Sequence, residues 1–155
     1  MRHPLFRSAL GAVALAALVI HSASAQPANP RFGKWKLKSD NPASSNVMTY
    51  EPFGDGGMKV TVESVNASGN KSSWSYTTMF DGKDYPVTGR NGTDMATVRI
   101  INDKMNEIIY KNQGRVVQLL VNVLSADNNT IEVSYFTTNA QGVTNVTHAT
   151  YERMQ

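Results

Sequence analysis

The chain has no cysteine among its 155 residues. A disulfide framework, thiolate zinc sites, iron–sulfur clusters and cysteine nucleophiles are therefore excluded. Excess charge is also lacking: 15 Lys and Arg stand against 12 Asp and Glu, and charged residues make up 17%. Beyond the N-terminus no apolar run approaches the roughly 20 residues a membrane-spanning helix needs. Histidine is scarce, at three residues. Intrinsic disorder fits poorly, because 12 of the 13 aromatic residues lie beyond residue 25 and apolar stretches recur along the chain.

The N-terminus reads as an address. Arg2 and Arg7 precede an apolar run from Ala9 to Ile20, which is followed by Ala23-Ser24-Ala25. This is the pattern of a secretory signal peptide over residues 1–25 with cleavage after Ala25. The expected product is periplasmic or secreted, with a short arm over 26–32 and one domain over 33–155. Losing Arg2 and Arg7 leaves 13 basic against 12 acidic residues. The mature chain is thus nearly neutral, and nucleic acid is not an expected partner. Lys34, Lys36 and Lys38 alternate with Trp35 and Leu37, which makes them one solvated face of a strand.

Turn chemistry punctuates the rest at short intervals. Gly54-Asp55-Gly56-Gly57, Asn66 to Asn70, Asp81-Gly82-Lys83, Gly89-Arg90-Asn91-Gly92, Asn102-Asp103-Lys104, Asn112-Gln113-Gly114, Asp127-Asn128-Asn129 and Asn139 to Gly142 all favour reversals. The first lacks the Lys and following helix of a phosphate loop, so it too reads as a hairpin. Between the turns lie segments rich in Val, Ile, Thr and aromatics that alternate with period two. Ten strands are predicted: 33–38, 45–53, 57–65, 71–80, 83–88, 94–102, 105–111, 114–124, 129–138 and 143–152. Short consecutive hairpins make an antiparallel meander, and closing it removes both exposed edges. The predicted fold is all-β: one up-and-down barrel of about ten strands with no helical lid.

Alternation sorts the faces. Trp35 with Leu37, Met58 with Val60 and Val62, Trp74 with Tyr76, Thr78 and Phe80, Tyr85 with Val87, Val98 with Ile100, Ile108 with Tyr110, and Ile131 with Val133 and Tyr135 form the inward set. Tyr76, Tyr85, Tyr110, Tyr135 and Tyr151 bring hydroxyls inside, joined by Thr78, Asn145 and Thr147. Such an interior either satisfies itself or orients a small ligand. The predicted ligand-lining residues are Tyr76, Tyr85, Tyr110, Leu119, Val133, Tyr135 and Tyr151.

The segment 114–124 is apolar on both faces, with Val117, Leu119, Val121 and Val123 on one and Val116, Leu120 and Leu124 on the other. Its outer face is expected to be covered by the arm bearing Pro27, Pro30 and Phe32 or by a loop; the alternative is a weak dimer or partner contact through this strand.

Gly33-Lys34-Trp35-Lys36-Leu37 opening the meander, with Tyr151-Glu152-Arg153 ending it, resembles the calycin superfamily of lipocalins and fatty-acid-binding proteins. Within it the chain is most similar to secreted bacterial lipocalin-like proteins of unassigned function. The resemblance covers essentially the whole mature chain and implies a structural signature of Gly33, Trp35 and Arg153, with Arg153 packing across Trp35 at one barrel end. The chain departs from fatty-acid-binding relatives twice. Ser39 to Ser44 is too short for their helix-turn-helix, and Ala149 stands where they carry a carboxylate-binding Arg two positions before Tyr151. Arg99 and Arg115 are weighed as substitutes, and alternation turns Arg99 outward.

No catalytic set emerges. His3 and His21 lie in the signal peptide, which leaves His148. Alternation points His148 outward, away from the inward place a haem ligand would need. No metal site and no cofactor are expected. The sequence reading is a non-enzymatic binding protein for a small apolar or amphipathic molecule held inside the barrel. The alternative is a filled barrel acting through its outer surface or loops as a protein-binding module or inhibitor.

Overall fold

The computed structural model describes residues 29–41 and 43–155; the expected signal peptide and the start of the arm lie outside them. Ten strands form a closed antiparallel barrel in which every strand pairs with its chain neighbours and β1 closes on β10. They are β1 Gly33–Leu37, β2 Ser45–Phe53, β3 Gly57–Val65, β4 Lys71–Thr78, β5 Asp81–Thr88, β6 Met95–Asn102, β7 Met105–Asn112, β8 Arg115–Leu124, β9 Thr130–Thr138 and β10 Thr144–Arg153. Each predicted strand is present to within a few residues. Among the described residues there is no helix, and none that could cross a membrane.

One end of the barrel is sealed. Trp35 is fully buried and its indole N–H donates to the carbonyl of Arg31 at 2.8 Å. Arg153 lies over the ring at 4.1 Å from its centroid. Its guanidinium also donates to the carbonyls of Asn128, Phe32 and Pro30 at 2.8, 2.8 and 2.6 Å. The described part of the arm is thus spent on this end, where Arg31 also reaches the carbonyl of Asp103 at 3.4 Å. It does not cover β8, which corrects that expectation.

Four departures from a regular ladder matter for the site. Tyr110 pairs with Gln118 but Lys111 pairs with Val116, so Val117 is an inserted residue in β8. The bulge flips the parity of the strand. Leu120, Asn122 and Leu124 are buried inside. Leu119 therefore faces out, contrary to the sequence reading.

In β6 the register shifts beyond Ile100, and Ile100 itself, at the end of the regular ladder, is 56% exposed. β4 and β5 pair only at Ser75–Thr88 and Tyr76–Val87, which leaves a slit toward their turn. The fourth departure is at β10. It pairs with β1 only over Tyr151 to Arg153, yet with β9 along Thr144 to Glu152. The β9–β10 hairpin therefore projects past the wall, and Asn145 and Thr147 are exposed there instead of lining the interior.

Candidate functional site: a tyrosine-lined cavity

The barrel encloses a cavity of about 210 Å³. Its apolar wall comes from Met48, Val60, Val62, Ile108, Leu120 and Val133, each supplied by the inward positions of its strand. Its polar groups are the hydroxyls of Tyr50, Tyr76, Tyr110, Tyr135 and Tyr151, the amides of Asn46 and Asn122, and one guanidinium, that of Arg90. Asn46, Trp74, Arg90 and Tyr135 are the part-exposed lining residues and mark the mouth.

The strongest local structure is an aromatic cluster. Trp74 and Tyr76 stack with centroids 6.1 Å apart, and Tyr110 meets both edge-on at 5.8 and 6.0 Å. Arg90 caps the cluster, 4.7 Å from the Trp74 centroid and 4.2 Å from that of Tyr110. Aromatic pairs contribute about 0.5–1.5 kcal/mol each and cation–π contacts about 0.5–2 kcal/mol. The loop before Arg90 turns through Gly89, where φ is +84° and a Cβ would stand 2.5 Å from the carbonyl oxygen of Ser73. Only glycine lets the loop pass this close to β4 and lay Arg90 over the mouth.

Hydrogen bonding inside is incomplete. Arg90 gives one Nη2 bond to Gln118 Oε1 at 2.9 Å, while its Nη1 is buried without a partner. Asn122 donates to the Tyr50 hydroxyl at 3.3 Å, and Asn46 to Ser64 Oγ at 2.8 Å. The Oδ1 of each amide is buried and unpaired. Turning either amide over would only exchange which atom lacks a partner. Tyr135 and Tyr151 share a hydroxyl–hydroxyl bond at 3.3 Å.

Burial dominates the acidity of these phenols, since an apolar wall disfavours the charged form. It pushes Tyr110 up to about 12 against the pull of Arg90, and raises Tyr50, Tyr76, Tyr135 and Tyr151 as well. All five stay protonated near neutrality and can donate as well as accept. The lining contains no carboxylate, so Arg90 is its single formal charge.

Of the seven lining residues expected from sequence, Tyr76, Tyr110, Val133, Tyr135 and Tyr151 come together here. Leu119 does not, because of the β8 bulge; it lines an outer groove with Val116, Val117 and Phe136. Tyr85 does not either. It sits where β5 has lost its β4 partner, and its hydroxyl bonds Asp81 Oδ2 at 3.3 Å on the outside. Sequence reasoning missed Tyr50, Asn46, Asn122 and Arg90. Tyr50 follows Met48 by two positions and was within reach of the alternation argument. Arg90 lies in a turn, where alternation has no authority.

Arg99 is paired outside with Glu107 at 2.9 and 2.5 Å, and Arg115 is exposed. His148 is exposed on the outer face beside Ser134 Oγ at 3.1 Å. The described residues hold no group of three or more potential metal ligands.

Strand number and meander order define a closed ten-stranded up-and-down β-barrel, sealed at the end where Arg153 packs over Trp35. Among solved structures, a mutant of the fluorescent protein UnaG is similar in fold. Its TM-score is 0.56 at 13% identity, over 81% of this chain and 97% of that one. No protein-family model and no curated protein matches the chain.

Proposed function

We propose that the chain is a secreted or periplasmic binding protein whose barrel holds a small, flat amphipathic molecule with an acidic or acceptor-rich end. The observation that carries this reading is Arg90: a guanidinium stacked on Trp74 and Tyr110, facing a lining without carboxylates, with Nη1 unpaired. A half-buried guanidinium whose Nη1 is buried without a partner is costly, and an anionic or acceptor group on a ligand relieves that cost. The unpaired amide oxygens of Asn46 and Asn122 add acceptors for N–H or O–H groups. At 210 Å³ the space falls below the roughly 300–1,000 Å³ of pockets for drug-sized molecules. It suits one or two rings better than a long acyl chain. Apolar contact contributes roughly 2.5 kcal/mol per 100 Å² removed from water. The basic, apolar and small-residue succession over 1–25 supports export.

Native mass spectrometry of the mature protein from its own secretory compartment, before and after denaturing extraction, is the direct test. An excess mass that extraction removes is expected. In parallel, Trp74 fluorescence follows titration with a small aromatic carboxylate and with its neutral amide, and the carboxylate is expected to bind at least about tenfold tighter, or 1.4 kcal/mol. A bare polypeptide mass together with no response to either probe overturns the reading.

A further inference from the structure

The exposed edge of β10 is a built pairing surface, and the geometry points to a second copy of this chain as its occupant. Backbone direction is fixed by three bonds. Arg153 N–H donates to Asn129 on the β9 side, while the Thr150 carbonyl accepts from Lys38 and Met154 N–H donates to Lys34 on the β1 side. Odd-numbered residues of β10 thus bond β9, and even-numbered ones point away. β1 ends at Leu37, so among the described residues the N–H and C=O groups of Thr144, Val146 and His148 face a side with no partner strand. All three residues are exposed.

Natural edge strands are protected by charges, prolines or bulges. This edge has none of these: from Phe136 to Tyr151 there is no Asp, Glu, Lys, Arg or Pro. β10 also stays in continuous register with β9 from Thr144 to Glu152. An outward apolar row meets the edge at right angles. Ile109 faces Leu119, Leu119 faces Phe136, and Phe136 faces Val146, which is 43% exposed.

Antiparallel pairing of two β10 edges about a two-fold axis at Val146 satisfies both features. Val146 exchanges both backbone bonds with the second copy's Val146, and Thr144 does so with the second copy's His148. The apolar row then runs on, Leu119–Phe136–Val146 meeting its own mirror order in the second copy, and no charged side chain opposes it. A two-fold contact of this kind is self-complementary and closes at two copies. This inference is independent of what the cavity holds.

The test is sedimentation velocity of the mature chain from about 1 µM to 1 mM, the span over which a weak dimer dissociates. A concentration-dependent dimer is expected. Val146→Pro removes an N–H that points only to the free edge, so the β9 ladder survives and association is lost. Val146→Lys does the same by charge, and stands in if the proline variant folds poorly. Ile101→Lys, at an apolar and exposed position on β6, four strands away from β10, leaves association unchanged. A parent chain that stays monomeric throughout, or one whose Val146 variants associate as it does, overturns the inference.

Discussion

The guanidinium of Arg153 lies 4.1 Å from the ring centroid of Trp35 and, from that position, holds three backbone carbonyls at once. One residue near the C-terminus thereby ties the arm, the β8–β9 turn and the first strand together. Arg153→Ala leaves those carbonyls and the indole face without a partner, and a hydrogen bond to a charged group contributes about 1.5–3 kcal/mol net, less where water can replace the lost donor. The expected loss is about 2–4 kcal/mol by urea unfolding, with Arg153→Lys recovering only part because it has no planar fork. A loss near zero for the alanine variant sinks this account of the sealed end.

Tyr135 and Tyr151 provide a test of cavity hydrogen bonding. Their hydroxyls are 3.3 Å apart. Replacing either by Phe strands the other, at about 1–3 kcal/mol, whereas replacing both removes donor and acceptor together. The double variant is expected to be less destabilised than the sum of the singles. A double-mutant cycle measures the difference, and strict additivity shows that the two hydroxyls do not interact.

Alkaline pH should unfold the protein through the same residues. Tyr110 has its folded pKa raised from 10 to about 12, and Tyr50, Tyr76, Tyr135 and Tyr151 also move upward. A phenol with a raised folded pKa contributes stability that is fully present below the unfolded value of about 10. As pH rises from 10 to 12 the unfolded chain releases its proton first, so that stability is lost. For Tyr110 alone this is roughly 2–3 kcal/mol. Tyrosinate absorbance should stay low through pH 10 and then rise together with loss of the near-ultraviolet circular dichroism. A smooth step of several tyrosines near pH 10 with tertiary structure intact contradicts the buried placement.

At the mouth, Arg90→Gln removes the only charge of the lining and its contacts with Trp74 and Tyr110. Affinity for an anionic probe is expected to fall about 10- to 100-fold, the worth of a charge-assisted hydrogen bond. Affinity for the neutral amide should hardly change. Gly89→Ala, which drives a Cβ against the Ser73 carbonyl, should weaken both and lower the melting temperature. An Arg90→Gln variant that binds both probes as before removes Arg90 from the site.

The barrel was legible in the sequence because its two signals are local. Asn-, Asp- and Gly-rich turns set strand ends, and alternation set faces wherever the ladder is regular, as in Met58–Val62 and Ile131–Tyr135. What escaped depends on partners far along the chain. A single inserted residue at Val117 exchanges the places of Leu119 and Leu120, and a strand apolar on both faces gives no hint of it. Tyr85 reads as inward until β4 proves to be absent beside it. Arg90 acts from a loop whose composition announces only a turn, so nothing short of the fold brings it to Trp74.

β4 and β5 meet over only two residue pairs, and this seam has a kinetic consequence. The β1–β10 seam is also short but is held at the Trp35–Arg153 end; parting the wall at β4–β5 breaks only a few bonds and leaves the other strands joined as one curved sheet. β5 should therefore exchange its amide protons by local breathing, well ahead of the β7–β8 and β9–β10 ladders. Breathing at this seam would loosen the wall that carries Tyr76, so the residence time of a molecule enclosed among the tyrosines would depend on the stiffness of the wall as much as on its contacts at the mouth.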